Sequence, residues 1–363
     1  MKLKNKSAMI AVTAMAACAA LSLSACGGQA AGSAAGQASS TATGAAGSDQ
    51  APFVLYSAMG YDAPVVKAFT AATGIQVKLV DDSTGPLLTK IAAEKNNPQW
   101  TAFWADGDTA FASLDQQGQL LPYTPAASYT PAGQSVVPGD HSYIPTGVTT
   151  VPAVIYNAAK TAAVPTSLAD LSGSQYTGKV GMNDPSQSGP TYPLIAGVMN
   201  QLGGVDQGKK MFSDLKSNGM KVYPTNGDTL HALETGQIQY GMIQSSAALA
   251  EVLKVKPTAD FQPKVASLSA STLLPGVFGI DKNAPATAQE QAKKFADFLL
   301  SPAGQEAMKN GNPNGDSLFW PIISGITPAA GVPSFPAGYQ HIDPSTWGPR
   351  QADIVSWFDS NIK

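Results

Sequence analysis

Arginine is almost absent from the 363 residues: Arg350 is the only one. At most one site can therefore hold a carboxylate or phosphate in the two-pronged fork of a guanidinium. Cysteine is nearly as scarce. Cys18 and Cys26 are the only two and both lie close to the start, which leaves the body of the chain without disulfides or a thiolate metal site. The three histidines, His141, His231 and His341, are widely separated and stand in no nucleophile or metal pattern. There is no Gly-x-Ser-x-Gly, no phosphate loop ending in Gly-Lys-Ser or Gly-Lys-Thr, and no His-Glu-x-x-His, so no signature of hydrolytic or nucleotide chemistry is present. Excess positive charge is missing too. The formal net charge is -3, which argues against a nucleic-acid partner. With 44% hydrophobic and 13% charged residues, the chain is long and apolar enough for a two-domain globular body.

The first 25 residues read as a targeting leader. Lys2, Lys4 and Lys6 make a basic start, residues 8–23 an apolar run too short to span a bilayer comfortably, and Leu23-Ser24-Ala25-Cys26 a small-residue cleavage site. This ending resembles the lipobox of bacterial lipoproteins, and the resemblance implies cleavage before Cys26 and acylation of Cys26. Residues 27–50 are Gly, Ala, Ser, Thr and Gln with a single acid, Asp49. Such a composition cannot build a core, so residues 26–50 are expected to be an acylated cysteine on a flexible tether, anchored to a membrane surface without being embedded in it.

From residue 51 strand and helix patterns alternate. Phe53-Val54-Leu55-Tyr56 is a short apolar strand, and Asp62 precedes a helix with Val65, Val66 and Phe69 on one face, stopped by Gly74. Ile75, Val77 and Leu79 alternate with polar residues as a second strand, and Pro86 lies at the start of a second helix. Residues 101–104 form a third strand, followed by Ala105-Asp106-Gly107-Asp108 and another helix. Three such units in succession predict a parallel, doubly wound sheet with a ligand rim beyond the carboxyl ends of its strands. Residues 121–148, rich in Pro and Gly, read as a wandering connection, and 151–156 as a β-rich run crossing to a second lobe. That lobe repeats the alternation, with polar loops at residues 184–191, 225–229 and 244–246. Residues 265–268 and 277–280 read as returning strands. Thr287-Ala288-Gln289-Glu290 reads as a capping box and Ser301-Pro302 as a capped helix start. The resulting plan is lobe 1 over residues 51–149, lobe 2 over 150–268, and a second part of lobe 1 over 269–363 with C-terminal helices wrapping lobe 1.

Residues 178–204 carry the sharpest local signal. Lys179-Val180-Gly181-Met182 is a strand, Asn183-Asp184-Pro185-Ser186-Gln187-Ser188-Gly189 a loop, and Pro190-Thr191-Tyr192 the opening of an apolar helix ending at Gly203 or Gly204. With Gly189 as cap, the amides of Gly189, Thr191 and Tyr192 are expected to point outward, ringed by the hydroxyls of Ser186, Ser188 and Thr191. That is a pocket for a small anion.

Together these features form a wider resemblance. The lipobox, the tether, Val54-Leu55-Tyr56-Ser57-Ala58, Phe69-Thr70-Ala71-Ala72-Thr73-Gly74-Ile75, and Phe298-Leu299-Leu300-Ser301-Pro302-Ala303-Gly304-Gln305 look like type II solute-binding proteins of bacterial ABC importers. Within that family the chain is most similar to the subgroup of ferric-iron, phosphonate, thiamine and hexose-phosphate receptors. The resemblance covers residues 51–323. It implies an α/β periplasmic-binding-protein type II fold of two lobes, each a sheet flanked by helices. It also implies a ligand in the cleft between them, and closure read by an ABC permease.

Ferric receptors of the subgroup supply paired tyrosines where this chain has Gln244-Ser245-Ser246, so tyrosinate-held iron is not expected. Ser57, Ser83, Thr84, Ser186, Ser188, Thr191, Ser245 and Ser246, with Gly189, are small donors where helices begin, suited to a phosphoryl or phosphonate group. Asp106, Asp108 and Asp228, beside Asp82 and Asp184, would repel a bare anion, so the expected solute also carries an ammonium or hydroxyls, as an aminophosphonate or sugar phosphate does. Tyr61, Trp104 and Tyr192 are candidate cleft aromatics. The expectation is a monomeric extracytoplasmic receptor with a small-molecule solute, a permease partner and a lipid anchor. It is not an enzyme and needs no cofactor, metal or nucleic acid. Iron, polyamine or carbohydrate receptors of the same fold are the alternatives, and a secreted phosphate-ester hydrolase the competing class.

Overall fold

The computed structural model describes residues 52–269 and 271–363. The leader, Cys26 and the tether assigned to residues 1–50 lie outside the described residues. No helix among the described residues is long and apolar enough to cross a membrane.

The first lobe begins with three strand-helix units: β1 (Phe53–Ser57), α1 (Asp62–Thr73), β2 (Val77–Asp81), α2 (Thr84–Ala93), β3 (Ala102–Asp106) and α3 (Asp108–Gln116). A short α4 (Pro131–Gln134) precedes β4 (Ile144–Val151). The sheet order is β2-β1-β3-β10-β4, where β10 (Thr272–Ile280) returns from the end of the second lobe. Helices α9 (Ala286–Leu300) and α10 (Pro302–Gly311) then cover the lobe. Phe53, Phe69 and Phe295 meet edge to face at its centre, with ring centroids 4.9 to 6.5 Å apart.

The second lobe contains β5 (Ala153–Asn157), β6 (Val180–Asn183), α5 (Thr191–Gln201), α6 (Val205–Ser217), β7 (Lys221–Tyr223), α7 (Asn226–Glu234), β8 (Tyr240–Ile243), α8 (Ser245–Lys254) and β9 (Pro263–Ala266), with sheet order β7-β6-β8-β5-β9. Two chain crossings join the sheets, one from β4 through Pro152 into β5 and one from β9 into β10.

The sheets differ from the all-parallel expectation. Strands β1, β2 and β3 are parallel, as are β6, β7 and β8, but β10 runs antiparallel to β3 and β4, and β5 antiparallel to β8 and β9. A strand that arrives from the other lobe enters its sheet from the opposite end, which forces that reversal. Residues 144–148, expected to belong to the wandering connection, are the first part of strand β4. All eight of its residues are buried, so it shows no alternation, and Pro145 is tolerated beside the register shift at Gly276 and Val277. The capping box at Thr287 does not form: α9 starts at Ala286 behind Pro285 without a side-chain cap, which puts Thr287 already inside the helix. Ser301 does cap α10, accepting from the Gly304 amide at 3.1 Å.

The C-terminal helices also depart from the plan. α11 (Pro344–Trp347) lies against α3, where the Gln116 side-chain amide donates to the Ser345 carbonyl at 3.0 Å. α12 (Gln351–Asn361) instead joins the core of the second lobe through Ile354 and Phe358, with Ile362 just beyond it. Phe358 sits 5.9 Å from Phe212 of α6. The apolar stripe Ile354, Phe358, Ile362 recurs every four residues, and it matches the apolar face that α6 would otherwise leave open to water.

Candidate functional site

Each lobe turns helix starts toward the other. Ser83 and Thr84 open α2, Gln187, Ser188, Gly189 and Pro190 precede α5, Thr225, Asn226 and Gly227 open α7, and Gln244 precedes α8. All of them line one cavity of about 390 Å³. Asp106 from the end of β3, Asn312 and Asp316 from the loop after α10, and Glu251 and Lys254 of α8 complete the wall. The volume lies in the range of small-ligand sites.

The lobes touch around this cavity. The Gly85 amide donates to the Gln187 carbonyl at 3.2 Å. The Gln244 side-chain amide donates across the cleft to Asp106 Oδ2 at 3.0 Å and to Thr149 Oγ1 at 3.1 Å. A Cβ on Gly189 would lie 2.9 Å from the Cβ of Thr84, so glycine is what allows that approach. Asn183 at the end of β6 organises the second-lobe wall. Its side-chain nitrogen donates to Asn226 Oδ1 at 2.6 Å and Ser188 Oγ at 3.2 Å, and its oxygen accepts from Thr229 Oγ1 at 2.7 Å.

The cavity's charges are mostly acidic. Burial, and then the Asp316 carboxylate, push Asp106 up to about 8, against a downward pull from the Gln244 amide. Burial raises Asp316 as well, opposed by the Gly60 amide that donates to it at 3.0 Å. Glu251 is raised chiefly by burial and pulled back by Lys254 at 2.9 Å. Lys254, the lysine of the wall, also lies 3.5 Å from Glu234.

Of the residues anticipated from sequence, Ser83, Thr84, Asp106, Ser188 and Gly189 line the cavity. Tyr61 lies in a smaller adjoining recess with Asp106 and Asp316, its hydroxyl held well above the usual range by burial and these acids. The others are engaged elsewhere. Ser57 is fully buried and accepts from the Met59 amide at 3.2 Å. Asp108 meets His341 Nε2 at 2.7 Å. Ser186 donates to Asp184 at 2.8 Å and accepts from Lys363 at 2.9 Å. Asp228 completes a capping box with Thr225. Ser245 accepts from the Thr150 amide at 3.0 Å, and Ser246 is fully buried with an unpartnered hydroxyl.

The helix opening at Pro190 is also different in detail. Pro190 precedes the first helical residue, Thr191, whose amide donates back to the Ser188 carbonyl at 3.1 Å and so does not point outward. Thr191 is 1% exposed with an unpartnered hydroxyl, and Tyr192 donates its hydroxyl to the Trp347 carbonyl in the core. Trp104 is likewise core, donating to Thr146 Oγ1 at 3.2 Å. Arg350, the single guanidinium, stacks 5.3 Å from the Trp347 ring and is not in the cavity wall.

Gln187, Asn226 and Gln244 fall within the three polar loops expected in the second lobe, although not named there as contacts, whereas Glu251, Lys254, Asn312 and Asp316 lie outside the stretches singled out. The signal for the last two was Asn312-Pro313-Asn314-Gly315-Asp316, a polar turn sequence directly after a helix.

Two mixed sheets joined by crossings, with a polar cavity between helix starts of both, define a type II periplasmic-binding-protein fold. The chain belongs to the bacterial extracellular solute-binding protein family, whose model matches residues 65–332. A periplasmic protein of Salmonella paratyphi A, provisionally named for binding 2-aminoethylphosphonate, is 24% identical over 265 residues, 72% of this chain and 74% of that one. Among solved structures, AfuA of Actinobacillus pleuropneumoniae with fructose-6-phosphate bound superposes with a TM-score of 0.73 at 19% identity, covering 86% of this chain and 98% of that one. Iron-bound HitA of Pseudomonas aeruginosa gives 0.68 at 20% identity, covering 84% and 98%. These structural likenesses establish the fold.

Proposed function

We propose that this protein is a lipid-anchored, monomeric receptor, held by acylated Cys26, that captures a small anionic or zwitterionic solute between its lobes and presents it to an ABC permease. Phosphonates and sugar phosphates are the solute classes favoured. The observation that carries the reading is the single cavity walled by helix starts from both lobes, at Thr84 of α2, at the Gln187–Pro190 loop before α5 and at Asn226 of α7. Helix starts supply amide donors and positive dipole ends to an acidic group without needing arginine. Ser83, Thr84, Ser188 and Gly189 are the proposed contacts to that group, with Asp106 at the other end.

The named specificity of the Salmonella relative supports a phosphonate. Tyrosinate-held iron is disfavoured: no tyrosine lines the cavity, and no group of three or more His, Cys, Asp or Glu side chains is placed to hold a metal ion, among the described residues. A solute gripped by both lobes stabilises the closed form, whereas one gripped by a single lobe would leave the equilibrium unmoved. A thermal-shift screen of the mature chain against phosphonates, sugar phosphates, polyols, polyamines and ferric ion tests the proposal. A dose-dependent rise in melting temperature with a phosphonate or sugar phosphate is expected. Release of inorganic phosphate from a phosphate ester would replace the receptor by an enzyme.

A further inference from the structure

The helix starts account for an acidic group; they do not account for the acids in the same wall. Asp106 is 9% exposed and its one side-chain partner is the neutral amide of Gln244. Asp316 accepts from the Gly60 amide. Neither carboxylate is paired with a lysine, arginine or histidine among the described residues. We infer that the Asp106 and Asp316 carboxylates form the seat for a primary ammonium group of the solute. The inference rests on the receptor reading above and narrows its solute class to amine-bearing acids.

Every element packed around Asp106 adds acid or neutral groups. Tyr61 and Asp62 at the start of α1 face the pair, and burial pushes Asp62 up to about 6. Thr149 of β4 and Gln244 before α8 offer a hydroxyl and an amide. Further along α8, Lys254 is already held by Glu251 and Glu234. Glu251 supplies an independent sign of a missing donor. It is 2% exposed, lines the cavity from the other lobe, and its Oε1 has no partner. A buried carboxylate oxygen without a donor is a costly arrangement that an incoming N–H would relieve.

Asp106 is buried and Asp316 is an acid within electrostatic reach of it, so its ionised form is costly until a positive charge arrives. An ammonium brings three N–H donors and one positive charge, so both carboxylates can then be ionised. A proton held by Asp106 leaves to buffer as its O–H bond breaks, and the ammonium keeps its own three protons. The elevation of Asp106 to about 8 means that this proton is still in place at neutral pH.

Calorimetric titration of the mature chain at pH 7 tests this, using 2-aminoethylphosphonate and ethylphosphonate. The amine-bearing ligand is expected to bind at least about tenfold more tightly. Asp106→Asn is expected to abolish most of the discrimination while still binding ethylphosphonate, and Asp316→Asn to reduce it. Equal affinity of the two ligands would overturn the inference and leave the receptor reading standing. If neither phosphonate binds, the phosphonate assignment is what fails. Ethanolamine and putrescine then probe the carboxylate pair directly: binding that Asp106→Asn removes supports the inference, and no binding, or binding unchanged in Asp106→Asn, overturns it too.

Discussion

Gly85→Ala separates lobe closure from lobe stability. Gly85 is the second residue of α2, and its amide bonds the Gln187 carbonyl of the other lobe at 3.2 Å. A Cβ at that position would lie 2.7 Å from the Ser186 carbonyl carbon and 3.3 Å from Gln187 Cα. Both neighbours are backbone, so no side chain can rotate away, and the lobes must part by roughly an ångström to restore ordinary carbon contacts. Within lobe 1 nothing is lost, because alanine is a better helix former than glycine by roughly 1 kcal/mol at most. The melting temperature of the free protein should therefore hold or rise slightly.

Binding should suffer, since moving a lobe equilibrium from mostly open to mostly closed takes about 5.5 kcal/mol of preference for the closed form. Losing even half of that preference weakens affinity about a hundredfold. Calorimetry reads the affinity, and small-angle scattering with and without solute reads the compaction. Wild-type affinity with full compaction in Gly85→Ala would refute the claim that this contact belongs to the closed, solute-holding form.

The remaining predictions address separate parts of the account. Folded Asp106 keeps its proton up to about pH 8, against an ordinary carboxyl value of 3.8, so the folded state binds the extra proton between those limits and stability falls as pH rises through that window. The span bounds the loss at roughly 6 kcal/mol, and denaturant unfolding of Asp106→Asn should show a flatter profile from pH 4 to 8; a profile parallel to wild type would contradict the buried acid. Phe358→Ala removes the ring packed against Phe212 and should destabilise the second lobe by about 3 kcal/mol or more; unchanged hydrogen exchange in α6 would count against that packing. Thr191→Val replaces a buried, unpartnered hydroxyl and should leave binding unchanged and stability equal or higher, whereas a tenfold weaker affinity would return Thr191 to the site. Cys26→Ser should shift the processed protein from the detergent phase to the aqueous phase on partitioning, and continued detergent partitioning would exclude acylation at Cys26.

Much of the first lobe was legible because its helices are amphipathic and its strands short and regular: Val65 and Phe69 mark α1, and Ser301-Pro302 marks α10. What stayed hidden lacked a local period. Strand β4, with Pro145, Gly147 and three threonines, is buried throughout, and α12 shows an apolar stripe without saying which lobe receives it. The site divides in the same way. Helix-start residues such as Thr84 and Ser188 were found because chain chemistry alone points to them. Asp108 and Asp228 carried the same signal but spend their carboxylates on His341 and on the Thr225 cap. Asp316 and Glu251 were missed because only the fold brings a post-helix turn and a helix interior to the same cavity.

The central claim is that one small acidic solute is held between both lobes and is not transformed there. Titration of the mature chain with 2-aminoethylphosphonate, followed by assay of the mixture for inorganic phosphate, measures this directly. The account predicts one-to-one binding with a dissociation constant near micromolar, about -8 kcal/mol, and recovery of intact ligand. Absence of binding to any phosphonate or sugar phosphate, or accumulation of free phosphate, would contradict it.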